Sequence, residues 1–266
     1  MMNSYTTTFT HQDKQRNNYS VDITSPLDWL QRSWNDLAES PVVGLLIGGM
    51  FTLLCLAAYA AITVSPLLSA TSLALLLLAS PFIAAAAYSI SRQQAQLPSA
   101  SLRDAVYEVR KRALGIGLFA VACALIVGAW VRLSSIVFAF YYGSLEVDAA
   151  AELARAWTAG SGYPTLLMFV LLTGAVLGTV LFAIGVLALP MIADKDTDIV
   201  SAIGKSIRTL RDNPMVMFVW VTFIIGAIGL AVLSGLLLMP LVFPLLAYAS
   251  WHSYRQLSQA SSNQKK

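Results

Sequence analysis

Apolar and polar positions fall in long blocks along this chain. Between Glu39 and Arg92 there is no Asp, Glu, Lys or Arg, and similar gaps run from Arg155 to Asp194 and from Asp212 to Arg255. A helix needs roughly 20 apolar residues to cross a bilayer core, so the first and third gaps each hold two spans and the second holds one. A further apolar run follows Arg112. The pattern predicts spans near 41–63, 66–91, 113–131, 164–190, 214–233 and 236–254. The turns at Val64-Ser65-Pro66 and Ser234-Gly235 are so short that spans one and two, and five and six, form antiparallel hairpins. Spans three and four are joined by a longer segment.

The segments ahead of the hairpins follow the helical period instead. Ser25-Pro26-Leu27-Asp28 and Ser101-Leu102-Arg103-Asp104 are both helix starts in which a hydroxyl can cap free backbone donors. Apolar residues then recur at helical spacing: Leu27, Leu30, Trp34 and Leu37; Leu102, Ala105, Val106 and Val109; Ile199, Ile203, Ile207 and Leu210. Three amphipathic interfacial helices are expected, with the apolar stripe toward acyl chains or the bundle. Arg110, Lys111, Arg112, Lys205, Arg208 and Arg211 are the candidate lipid head-group contacts, at about 1 kcal/mol per basic residue near an anionic surface.

The chain is threefold repetitive, each unit an amphipathic helix followed by a hairpin. The second helix of each hairpin carries P-x-[IL]-A, at Pro81-Phe82-Ile83-Ala84, Pro190-Met191-Ile192-Ala193 and Pro244-Leu245-Leu246-Ala247. In the first and third units the likeness extends to Tyr88 and Trp251, then to Arg92 and Arg255, an aromatic belt followed by a basic anchor. Leu37 and Leu210 each stand four residues before a span-opening proline, Pro41 and Pro214.

Composition agrees: of 266 residues 57% are hydrophobic and only 12% charged, about half the charge of a soluble domain. The predicted fold is an all-α polytopic membrane bundle of about six transmembrane helices in three hairpins. Residues 1–24 read as a polar, disordered tail, 25–257 as the membrane domain and 258–266 as a polar C-terminal tail. Basic residues are retained on the cytoplasmic side of short loops. With the N-terminus inside, fifteen Lys and Arg fall inside and only Arg132 and Arg155 outside, which places both termini in the cytoplasm.

The stretches SPFIAAAAYSISR (80–92), AWVRLSSIVFAFYYG (129–143), LPMIADKDTDIVSAIGKSIRTLRDNP (189–214) and FPLLAYASWHSYRQL (243–257) resemble an uncharacterised bacterial family of predicted integral membrane proteins. Some members carry the label of a cytochrome c oxidase subunit. The resemblance covers roughly 25–257 and implies a bacterial inner-membrane protein; it brings no functional residues.

Haem in a bundle needs axial side-chain ligands, usually histidine. The two histidines are His11 in the polar tail and His252 beside Trp251 and Tyr254, so a catalytic haem-copper subunit is excluded and His252 reads as an interfacial anchor. Arg132 is the candidate functional intramembrane charge. It either snorkels to the outer interface beside Trp130 or, if its helix continues, seeks Glu146, Asp148 or Glu152. Asp194-Lys195-Asp196-Thr197-Asp198 begins like a calcium loop, but Ile199 and Lys205 stand where glycine and glutamate belong. Its carboxylates suit the N-terminal end of the following helix. The prolines fall late in their spans, where a kink is easily re-satisfied. Gly44 with Gly48 and Gly174 with Gly178 form G-x-x-x-G patterns, read as internal packing with self-association as the alternative. Cys55 and Cys123 read as buried thiols. No Ser-His-Asp set, nucleotide loop or zinc spacing is evident, and no catalytic residue, metal or cofactor is expected.

The expected role is therefore non-catalytic: a scaffold, assembly or lipid-interacting protein, including an accessory place in a respiratory complex. A small-solute transporter or channel is the alternative. Expected partners are membrane lipids, anionic ones foremost, then a membrane-protein partner or a second copy, and no nucleic acid.

Overall fold

The computed structural model describes residues 21–62, 64–96, 100–142, 164–195 and 197–263. Residues 1–20 of the expected tail, with His11, lie outside the described residues, as do Glu146, Asp148, Glu152 and Asp196. The described residues form ten helices: α1 (Ser25–Glu39), α2 (Pro41–Ile62), α3 (Pro66–Gln94), α4 (Leu102–Lys111), α5 (Ala113–Tyr142), α6 (Pro164–Gly185), α7 (Ala188–Asp194), α8 (Ile199–Asp212), α9 (Pro214–Leu233) and α10 (Met239–Asn263). Local chemistry sets their starts. Proline occupies the first turn of α1, α3 and α9, where its missing N–H is no loss. Ser65, Ser101 and Asp198 accept from the free amides of Leu68, Asp104 and Ser201.

Among the described residues, five stretches are long and apolar enough to cross a membrane: Pro41–Ile62, Leu67–Gln94, Ala113–Val137, Met168–Asp194 and Pro214–Leu233. The expected sixth, 236–254, is helical too, but it belongs to a third hairpin that reaches less far. Pro240 lies against Gly48 and Phe243 stacks on Phe51 at 4.0 Å, so α10 starts beside the middle of α2. From Phe51 to Ile62, α2 runs on for about 16 Å at 1.5 Å per residue. The turn that ends this hairpin is self-satisfied. The amides of residues 234–239 donate to Leu230, Val232, Ala231 and Ser234 carbonyls, the Ser234 hydroxyl and the Leu236 carbonyl. Gly235, at φ +65°, and Leu236, at φ +68°, are the two left-handed residues of the cap, a conformation that costs glycine nothing. A turn with no unpaired amide can sit in hydrocarbon. At its other end α10 continues to Asn263, so the stretch expected as a polar tail from 258 is helix up to that residue.

Two of the three signature prolines show how their kinks are re-satisfied. Pro81 cannot bond the Leu77 carbonyl, and the Ser80 hydroxyl donates to it instead at 3.3 Å. At the second, the expected continuous span 164–190 is broken between α6 and α7. There the Ser206 hydroxyl takes the place of one rung, accepting from Leu187 N–H at 3.2 Å and donating to the Ala183 carbonyl at 2.7 Å.

The threefold plan is visible in the packing. α4 packs on α3, the second helix of the first hairpin, and α8 packs on α6 and α7, the second helix of the next. α1 completes the circuit by packing on α10, at the far end of the chain. Trp29, Ala105 and Ala202 occupy the same register on α1, α4 and α8, and all three are fully buried. The signature helices α3, α7 and α10 touch one another at the centre.

This convergence concentrates the core at one end. On α3 no side chain from 67 to 80 is buried, whereas Pro81, Ala85, Ala87, Tyr88, Ile90 and Ser91 are. Likewise none is buried from 121 to 133 on α5, from 171 to 180 on α6, or from 221 to 230 on α9. Trp29 meets Trp220 edge to face at 5.6 Å, and Tyr88 stacks on Trp251 at 6.4 Å. The bundle is tied chiefly at its charged end; beyond it burial is sparse, with Ala61, Ser134, Val170 and Ala231 the buried side chains near the far ends of the spans.

Candidate functional site

At the charged end, side chains from four helices and from the link between α4 and α5 meet on the central axis. Arg92, at the end of α3, places its guanidinium 3.3 Å from Glu108 and 3.4 Å from Asp194. Arg112 donates to Glu108 at 2.7 Å and to the Asp194 backbone carbonyl at 2.8 Å. Tyr254 of α10 donates to the second oxygen of Asp194 at 2.9 Å. Asp194 thus joins all three units, because α7 ends on it just where α3 and α10 pass. The charges of Arg92, Glu108 and Asp194 are each about 20–30% exposed, so they are partly withdrawn from water.

A second cluster lies alongside. His252 Nε2 is 2.9 Å from Asp36 Oδ2, the Ser91 hydroxyl donates to the same oxygen, and Gln94 donates to the Asp36 backbone carbonyl at 2.7 Å. Ser, His and Asp do come together here, contrary to the reading that no such set is present. In a nucleophile triad the two ring nitrogens divide between hydroxyl and carboxylate. Here one nitrogen faces both, 3.5 Å from Ser91 Oγ, and the hydroxyl proton goes to the carboxylate. The geometry is that of a clasp joining α1, α3 and α10. Trp29 extends it by donating to Gln256 at 2.7 Å.

Between these elements lies a cavity of about 240 Å³, lined by Arg92, Gln96, Asp194, Lys195, Trp251, Tyr254, Arg255, Ser258 and Gln259. Its basic side chains outnumber the single carboxylate on its wall.

The residues singled out in the sequence are placed unevenly. Arg110, Lys111, Lys205, Arg208 and Arg211 are exposed on α4 and α8, with the Lys111 ammonium 4.7 Å from the Tyr107 ring centroid. Arg112 is turned inward to Glu108 and Asp194, at the single-residue link where α4 ends and α5 begins. Arg132 is exposed on α5, whose helix runs on to Tyr142. It stands roughly 28 Å along the axis from Ala113, near the far interface. Asp194 and Asp198 part company: one pairs with Arg92 and Tyr254, the other caps α8 through Ser201 N–H at 2.8 Å. His252 anchors through Asp36 rather than only through the interface. Sequence reading passed over Glu108, Asp36 and Ser91; the placement of Arg92 at the end of its repeat was the one signal available.

Hydrogen bonding from Arg112 holds the Glu108 carboxyl below its ordinary range, and Arg92 adds to the effect. The folded pKa is thus depressed, so this contribution to stability is complete above the unfolded value and is lost as pH falls through the folded one. Acidification below the ordinary glutamate range should lower the melting temperature of the native protein more than that of Glu108→Gln. Thermal unfolding in detergent across that range checks it.

These features define a multi-pass α-helical integral membrane protein. Residues 67–194, from α3 through α7, match the model of the family described as Predicted integral membrane protein (DUF2189). The expected resemblance to an uncharacterised membrane family therefore holds, over a shorter stretch than 25–257. The matched stretch contains Arg92, Glu108, Arg112 and Asp194, the charged centre of the site. No curated protein and no solved structure matches the chain.

Proposed function

We propose that the protein is a non-catalytic, lipid-organising scaffold of the bacterial cytoplasmic membrane, its charged end and both termini facing the cytoplasm. One observation carries this reading: each amphipathic helix has two apolar edges and packs only one of them into the bundle. Trp29 and Leu37 are buried on α1 while Leu27 and Trp34 stay exposed, and on α8 Ala202 is buried while Val200 and Ile207 stay exposed. Val106 does the same on α4. Those free edges lie beside exposed Arg110, Lys111, Lys205, Arg208 and Arg211, the combination that inserts a helix among acyl chains and holds anionic head groups.

The test is native mass spectrometry of protein released from mixed vesicles. Phosphatidylglycerol should be retained over phosphatidylcholine, and replacing those five basic residues by glutamine should sharply reduce the number of phosphatidylglycerol molecules retained without changing the fold. Equal retention of both lipids by the native protein would sink the reading. The alternative, a small-solute transporter or channel, draws on the axial cavity, and would be favoured instead by solute flux in proteoliposomes.

A further inference from the structure

The cavity lies where the repeat is broken. α3 continues past Pro81 to Gln94 and α10 past Pro244 to Asn263, but α7 stops at Asp194, one turn beyond Pro190. Two units of the pseudo-threefold thus extend along the axis while the third leaves its place empty. The cavity fills that place, between the ends of α3 and α10 and above Asp194.

Its chemistry is that of an anion receptor. Arg92, Lys195 and Arg255 line it, and Arg112 stands behind Asp194. Against Glu108 and Asp194, these four cations leave two positive charges in excess. Arg92 is already oriented, since two carboxylates hold its guanidinium. Guanidinium groups favour multidentate oxyanions, above all phosphate. At about 240 Å³ the space holds more than bare phosphate, given about 30 Å³ for a single water.

We propose that this axial cavity binds a phosphate group, carried either by a small phosphate ester or by a lipid head group. The site is separate from the peripheral contacts of α4 and α8, so it stands or falls independently of them. The experiment uses the full chain in nanodiscs of phosphatidylcholine, titrated with inorganic phosphate and glycerol phosphate at constant ionic strength. A parallel set of discs contains phosphatidylglycerol. Thermal unfolding and calorimetry give the readout.

Binding should raise the melting temperature. Arg255→Gln and Lys195→Gln, both outside the Arg92 ion pairs, should each weaken it about tenfold, the loss of one charge-assisted contact, with the unliganded melting temperature unchanged. Arg208→Gln, on the periphery, should bind as the native protein does. Stabilisation by the soluble esters identifies a free ligand, whereas stabilisation only by the lipid, still lost in Arg255→Gln, identifies a head group. The proposal is overturned if neither source stabilises the protein, or if the two cavity variants bind like the native chain.

Discussion

Gly48→Ala should lower the unfolding free energy by about 2–3 kcal/mol, the upper range for overpacking at a close contact. A Cβ at this position would fall 2.7 Å from the carbonyl carbon and 2.9 Å from the Cα of Pro240, and closer still to the carbonyl oxygen. Those are backbone atoms on the first turn of α10, which cannot move without moving the hairpin. Pro244, having no N–H, leaves that carbonyl without its helical partner, so the approach to a glycine is part of how α10 is seated. Gly178→Ala is the matched control, since nothing lies within 4 Å of its Cβ site. It should be neutral or slightly stabilising through reduced backbone freedom. Denaturant unfolding in detergent measures both. Of the two G-x-x-x-G patterns, the first is thereby internal packing, whereas in the second Gly174 faces the Trp130 ring, 3.6 Å from its Cβ site, and Gly178 is open.

Asp194→Ala should cost about 3 kcal/mol, because it leaves a partly buried guanidinium with one carboxylate instead of two and takes the acceptor from a hydroxyl at once. Arg92 would retain Glu108 alone, and Tyr254 would lose its acceptor. Adding Arg92→Ala to Asp194→Ala should recover part of that loss, since the stranded cation is then gone. Equal and additive losses in the double-mutant cycle would show that the pair is not coupled. The same Asp194→Ala chain should be cleaved by protease between α7 and α8 more readily than the native one, as its hold on the three units is released.

How much of this was legible follows from what each feature depends on. The spans follow from charge-free runs, which lipid alone enforces, and five helices fall where those runs lie. The three repeats were legible through Pro81, Pro190 and Pro244, and their helices do meet at the centre. The phase of α1 was not: Leu27, Leu30, Trp34 and Leu37 and the Trp29, Leu37 edge both satisfy a helical period, and only the neighbours decide which packs. Hydropathy also cannot register one hairpin against another, so the short reach of α9 and α10 was invisible. The charged centre was hardest. Arg92, Glu108 and Asp194 are far apart in the chain, and no local spacing announces that α7 ends where α3 and α10 pass. Arg112 looked like one more basic residue at an interface, yet at the link after α4 it turns inward to the Asp194 carbonyl.

The seating of α1 on α10 sets an order of events during synthesis. Trp29 and Ser33 leave the ribosome early, yet their partners Gln256 and the Leu245 carbonyl lie 227 and 212 residues further along the chain. The first amphipathic helix must therefore wait for its seat until α10 has been made, and a nascent chain halted near residue 240 should leave Trp29 reactive to a water-soluble oxidant.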